Sequence, residues 1–455
     1  MRAFQLCFVA VWAGGLLGAC QPGELKASGS VFRQVENASL PPNPHNIEGY
    51  ADAVSVPPGG VIEFKVHAPN YQFNIEFSRY GLLGPPEVLS TVTDIPGTPQ
   101  DYADDAYKNG ANWDTGYSLT VPCDWRSGVY NARLYDGRAS FNLLFVVKAA
   151  QGYEANIALF ASTNTWQAYN DWGGASFYRC GIPVCSGGTY STLLTLDRPN
   201  PGASGSMHLA AGERFIIGWL EANGYNYSML TDSDLHSDPT ALQPFGTAII
   251  STHSEYWSRE MYDALQSFHD VGGNLLYLSG NGIYWKVTFQ GRQMEVQKGG
   301  GVHEQTGERG GLWRNLGRPE AALLGVRYDA RHYPNCGPYV VRAGQASSWI
   351  FAGTGLQDGN SFGASGLNTA TCTSGAASGW EQDGIDATYR PAGLVFLAEG
   401  LVDGGAGADM TYYETASDPP SGGVFSAGSI TFGGSLAIDS SLSQVITNVL
   451  THYGN

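Results

Sequence analysis

The spacing of apolar residues changes once along this chain, near residue 150, and that change restricts the architectures open to it. Between Ile47 and Val147, apolar and polar residues alternate in short runs. Val61-Ile62-Glu63-Phe64-Lys65-Val66 and Phe73-Asn74-Ile75-Glu76-Phe77 show the pattern, and Gly128–Leu134 and Phe141–Val147 repeat it. A period of two puts every second side chain on one sheet face, and turn residues bound each run. Residues 47–148 are therefore expected to form a β-sandwich of about a hundred residues. From Ile157 the strands become continuous apolar runs: Ile157–Phe160, Ala248–Ile250 and Leu275–Ser279. Helical spacing separates them. Phe215, Ile216 and Trp219 share a face within Glu213–Ala222, before an Asn223-Gly224 stop, and Met261, Ala264, Leu265 and Phe268 follow Ser258, a candidate N-cap. Alternating buried strands and helices predict a mainly parallel, doubly wound sheet over 149–455. The Gly-rich stretch 287–313 reads as loop, Gly393–Glu399 and Ser429–Ile438 as strands, and Leu442–Tyr453 as a closing helix. The fold class is thus multidomain α/β plus β.

Charge and termini narrow the partners. The 455 residues carry a formal net charge of −17 with no basic stripe, which excludes nucleic acid as a partner. Met1-Arg2, an apolar run from Phe8 to Leu17, and Gly18-Ala19 before Cys20 read as a signal peptide over 1–20. Leu17-Gly18-Ala19-Cys20 resembles a bacterial lipobox, so Cys20 is expected to carry a lipid anchor on an exported protein; an ordinary secreted protein is the alternative. Residues 21–46 are polar and Pro-containing, like a tether. In an oxidising compartment, Cys180 and Cys185 flank a four-residue loop that one bridge could close. Cys336 with Cys372 is a second pairing, leaving Cys123 free.

In open α/β sheets, ligands bind beyond the carboxyl ends of the strands. Tyr169 follows the first of these strands, His253 and Glu255 the second, and Asn281 the third. Position alone is equally compatible with a polar, aromatic-walled binding cleft. Gly359-Asn-Ser-Phe-Gly363 matches a nucleophile elbow in letters only, since no helix follows it.

Longer motifs say more. Asn164-Thr-Trp-Gln-Ala-Tyr-Asn-Asp-Trp-Gly-Gly174, His253-Ser-Glu-Tyr-Trp-Ser258 and Leu278-Ser-Gly-Asn-Gly-Ile-Tyr-Trp285 resemble segments of the large (beta) subunit of N,N-dimethylformamidase. So do Trp219-Leu-Glu221 with Asp232-Ser-Asp-Leu-His236, and Gly311-Leu-Trp-Arg314 with Gly317-Arg-Pro319. The resemblance implies an α/β domain like class I glutamine amidotransferase folds. It also implies hydrolysis of a small amide at a mononuclear Fe3+ site held by two tyrosines and a glutamate. Carried over by motif, Glu255 is the carboxylate ligand, Tyr169 the first tyrosine and Tyr130 the second, with Tyr178 in reserve. Tyr130 qualifies only if the sandwich leans over the crevice; otherwise it is a core strand residue. His253 is expected to shuttle protons, Asn281 to donate to a developing oxyanion, and Glu381 to act as general base, with Glu399 its rival. A small partner subunit or a homo-oligomer stays open. The competing reading is a surface-anchored, saccharide-type binding protein with the same cleft and no catalysis.

Overall fold

The computed structural model describes residues 45–180, 190–331, 333–370, 372–414 and 421–455. The alternating segment builds two facing sheets. One contains Glu48–Ala51, Val61–His67 and Thr115–Thr120; the other contains Ser55–Val56, Ser140–Val147, Gly128–Tyr135, Gln72–Arg79 and Glu87–Pro96. Inward residues of both sheets form one core, with Phe64 packed 5.7 Å from Phe77 and 5.6 Å from Phe145. Burying each such ring is worth roughly 1.5–3 kcal/mol.

The continuous apolar strands become buried on both faces, as their composition requires. Tyr227–Thr231, Ile157–Ala161, Thr247–Thr252, Asn274–Ser279 and Gly423–Ser426 lie parallel, in that order. Ile157, Leu159 and Ala161 point to a core shared with helices Ala210–Ala222 and Ser440–His452. Ala158 and Phe160 point to a second core shared with helix Arg259–Asp270. Ser258 caps that last helix, its hydroxyl accepting from the Met261 amide at 3.3 Å.

Three expectations need correction. The nine-stranded sheet is mixed: beyond Gly423–Ser426 it continues antiparallel through Gly405–Glu414, Val395–Val402, Tyr339–Val341 and Ser361–Phe362. Val395–Val402 turns into Gly405–Glu414 at Asp403-Gly404, where both residues have positive φ. This is the two-residue turn that matches strand twist. The stretch 287–313 is loop only in part: Trp285–Gln290 pairs with Gln293–Val296 across a turn at Gly291, and Gly311–Leu312 pairs back onto Trp285–Gln290, with turns between. Within Ser429–Ile438, residues Phe432–Leu436 are helical; the strand lies earlier, at Gly423–Ser426.

Cys336 and Cys372 are bridged, and Cys123 is free and exposed. Cys180 is disulfide-bonded, while Cys185, the leader and residues 21–44 of the tether lie outside the described residues. Among the described residues, no helix is long and apolar enough to cross a membrane.

Candidate functional site

Three parallel strands deliver polar groups to one crevice at their carboxyl ends. After Ile157–Ala161 the chain turns through helix Thr163–Ala168, and Tyr169 is its C-cap. The following loop doubles back, so that Tyr178 stacks on Tyr169 with ring centroids 4.2 Å apart. After Thr247–Thr252 come His253 and Glu255, and the Glu255 amide donates to the Thr165 hydroxyl at 3.0 Å. Asn281 follows Asn274–Ser279, and its amide donates to the Asp383 carboxylate at 2.8 Å. Glu381 sits between the short pairs Ser378–Gly379 and Asp383–Gly384. Its backbone comes so close to Gly280 that a Cβ there would lie 2.3 Å from the Glu381 carbonyl oxygen. Thr252, Asn281, Ile283 and Trp380 all hold positive φ around the crevice, a strain that persists only where surrounding structure over-determines it.

The side chains converge on Glu255. The Tyr178 hydroxyl lies 2.8 and 2.7 Å from its two carboxylate oxygens, and the Tyr169 hydroxyl 3.3 Å from Oε2. The Tyr256 hydroxyl donates to that of Tyr178 at 2.8 Å. His253 Nε2 stands 3.2 Å from Glu255 and 3.4 Å from Glu381, bridging the two carboxylates. Asn281 Nδ2 donates to Glu381 Oε2 at 2.7 Å. Lys298 Nζ lies 3.7 Å from the Tyr178 ring centroid.

Burial sets the protonation states. Tyr169 is held well above the usual phenol value, first by burial and then by the Glu255 charge; Tyr178, though 38% exposed as a residue, is raised in the same direction by desolvation of its hydroxyl and by Glu255. Burial opposes charge on His253, but Glu381 and Glu255 outweigh it and hold its pKa up. Glu255 stays below the ordinary carboxylate value because His253, Lys298 and Tyr178 outweigh its burial. Glu381 is pushed up by burial and by Glu255. Burial brings Lys298 down to about 8.

Tyr169, His253, Glu255, Asn281 and Glu381 are thus brought together. Tyr130 is not. It lies in the sandwich core, stacked 4.7 Å from Trp125, and its hydroxyl donates to the Arg126 carbonyl at 2.6 Å. Strand alternation turns it inward, away from the crevice, and Tyr178 occupies the place expected for it. Glu399 pairs with Arg342 at 2.8 Å in the antiparallel half of the sheet, outside the cluster. Lys298, Tyr256, Trp380 and His208 were not anticipated. The His208 ring centroid sits 4.6 Å from that of Tyr169 and 4.8 Å from that of Trp380, and its Nε2 is buried without a hydrogen-bond partner among the described residues. Tyr256 and Trp380 carried a signal, standing next to Glu255 and Glu381 in the sequence.

The donor set fits a trivalent cation. Two phenols and a carboxylate whose oxygens approach within 2.7–3.3 Å balance three positive charges once the phenols are deprotonated, which a metal ion promotes. Among the described residues, no group of three or more His, Cys, Asp and Glu forms a metal cluster.

The family described as N,N-dimethylformamidase beta subunit-like, C-terminal, matches residues 80–448. The N,N-dimethylformamidase beta subunit of Paracoccus aminophilus is 25% identical over 423 residues, covering 75% of this chain and 54% of that protein. The beta subunit of the same name from an Alcaligenes species is 24% identical over 424 residues, with the same coverage. This chain therefore spans about half the length of the curated relatives it matches. With four-fifths of its length inside that match, the chain belongs to the N,N-dimethylformamidase beta subunit-like family.

Proposed function

We propose that this chain hydrolyses the C–N bond of a small, N-substituted amide, dimethylformamide-like in class, at a mononuclear ferric site held by Tyr169, Tyr178 and Glu255. The observation that carries the reading is the Tyr178 hydroxyl set against both Glu255 oxygens, with Tyr169 stacked beside it. When bound, the ion supplies Lewis acidity toward an amide carbonyl and toward water. The chain's own groups handle protons and position. Glu381, with its raised pKa, takes a proton from water as general base. His253 lies between Glu381 and Glu255 and passes that proton toward the departing amine. The Asn281 amide group is committed to Glu381, so it orients the base in preference to binding an oxyanion.

The same proposal takes in several further points. The glutamine amidotransferase-like scaffold is supported by helices on both faces of the parallel half-sheet. A small partner subunit or self-association is supported by the subunit names of the relatives. Export as a lipoprotein anchored at Cys20 is supported by the lipobox. Mass spectrometry of the mature N-terminus tests the last: a free amine beginning elsewhere overturns it. Metal analysis and absorption spectroscopy test the centre. The purified protein should hold about one iron per chain, as a single Lewis-acid site requires, with a visible tyrosinate-to-iron band. Zinc, or no metal after expression with adequate iron, overturns the hydrolase mechanism in favour of a binding protein.

A further inference from the structure

The loop between Tyr169 and Tyr178 is wound around a single side chain. Arg198 Nη1 donates to the Trp172 and Ala175 carbonyls at 2.7 and 2.9 Å, and Nη2 to the Asn170 carbonyl at 2.8 Å. Arg198 is 1% exposed. Among the described residues no carboxylate pairs with it; its two terminal nitrogens serve backbone oxygens, and its Nε is buried without a hydrogen-bond partner. Those three carbonyls belong to the turn that returns the chain from one tyrosine to the other. Gly173 and Gly174 hold positive φ within it, and a Cβ on Gly173 would meet the Tyr107 amide nitrogen at 3.0 Å. The Asn170 carboxamide braces the same turn, donating to the Pro199 carbonyl at 2.9 Å and accepting from the Trp172 amide at 3.1 Å. The Trp172 indole donates to Glu48 at 2.9 Å, fastening the turn to the sandwich.

We propose that Arg198 is a positioning residue for the metal centre, gathering the 170–175 turn so that Tyr169 and Tyr178 reach Glu255 together. This rests on the ligand set proposed above. A planar fork with five fixed donors suits three converging carbonyls; a lysine ammonium, one point charge on a flexible stem, cannot hold the same three in the same geometry. Arg198 touches neither tyrosine hydroxyl nor Glu255, so its effect reaches the centre only through the turn. Beside it, Gln167, Asn200 and Trp166 help line a cavity of about 70 Å³, which truncation of Arg198 would enlarge.

The test compares full-length wild type, Arg198→Ala and Arg198→Lys for folding by circular dichroism, ferric ion affinity and the tyrosinate absorption band. Both variants should fold. Iron affinity should fall about 10- to 100-fold, the range seen when groups supporting metal ligands are lost, and the band should weaken or move. Free guanidinium at low millimolar concentration should restore affinity and band to Arg198→Ala but not to Arg198→Lys, whose side chain occupies the space. If Arg198→Ala does not fold, Arg198→Lys alone decides. Wild type that binds no iron overturns the ligand set itself. Wild type that binds iron, with folded variants matching its affinity and band, overturns only the role of Arg198.

Discussion

Two tyrosines with the same hydroxyl illustrate how placement decides chemistry. Tyr178 points its phenol at Glu255, and Tyr130 points its phenol at a backbone carbonyl in the sandwich core. Tyr178→Phe and Tyr169→Phe should therefore bleach or shift the visible band and lower iron content, with little change in melting temperature. Tyr130→Phe should do the reverse. It loses one hydrogen bond worth about 1 kcal/mol while band and turnover stay unchanged. Loss of the band in Tyr130→Phe would contradict the assignment. The motifs made Tyr169, His253, Glu255 and Asn281 legible because each lies in a distinctive stretch of sequence, and Glu381 stood in the short stretch Ser378-Gly-Trp-Glu-Gln-Asp383. Tyr178 was held only in reserve and Lys298 was missed, because their contacts depend on how loops fold back, which no local period records. Glu213 makes a separate prediction. It is fully buried, accepts from the Trp166 indole at 2.9 Å and the Ser162 amide at 3.1 Å, and burial pushes its pKa up to about 8. A carboxyl raised in the folded state contributes its stability below the unfolded value and loses it as pH rises through the folded value. Wild type should lose stability, relative to Glu213→Gln, between pH about 4.5 and about 8, by an amount on the order of a few kcal/mol. Urea melts at pH 5 and pH 9 check this: a pH-independent difference between the two proteins would refute it.

Among the elements, the turn after Asn274–Ser279 bears most directly on the site. Gly280 lets the Glu381 backbone approach, and Asn281 then reaches the Glu381 carboxylate. Gly280→Ala should push the Glu381 segment away and lower turnover by at least about tenfold, as small displacements of catalytic groups do. Iron content should survive, because Tyr169, Tyr178 and Glu255 stand on segments that follow other strands. Wild-type turnover in the folded variant would remove the turn from the mechanism. The elements read best from sequence were those where burial and period agree, such as Ile157–Ala161 and the Ser258-capped helix. The antiparallel half was misjudged for a physical reason. Strands such as Val395–Val402 and Gly405–Glu414 are buried on parts of both faces and show no clean alternation. Their direction is set by the Asp403-Gly404 turn, a hairpin signal that a strand–helix expectation passes over. The strands of the Gly-rich stretch escaped likewise, since composition there speaks for turns while pairing with Gln293–Val296 fixes the backbone.

At the scale of the molecule, the groups proposed for chemistry all stand on the α/β portion, and the sandwich meets it at a seam where Tyr80, Val129 and Val146 join an apolar core of that portion and polar groups pair beside them. Arg79 donates to the Ser127 carbonyl within the sandwich, and across the seam to Glu221 at 2.5 Å and the Tyr227 hydroxyl at 2.8 Å. Ser127 in turn accepts from the Met229 amide on its own hydroxyl at 2.7 Å, and Lys148 pairs with Asp234 at 2.9 Å. The Arg79 and Glu221 side chains are only 5% and 10% exposed, so removing one leaves the other charged and poorly solvated. Such a loss costs roughly 3–5 kcal/mol, and here it falls on the seam and not on either core. Arg79→Met should therefore separate the unfolding of the sandwich from that of the α/β portion. Calorimetry should show one transition in wild type and two, or one broadened toward lower temperature, in the variant. Below the first transition the variant should keep its iron band, because no residue of the seam touches Tyr169, Tyr178 or Glu255. A variant that still melts in one sharp transition at the wild-type temperature would show that apolar contacts, and not this ion pair, couple the two portions. A variant that loses the band before any transition would show that the sandwich supports the site more directly than through the fastening of Trp172 to Glu48.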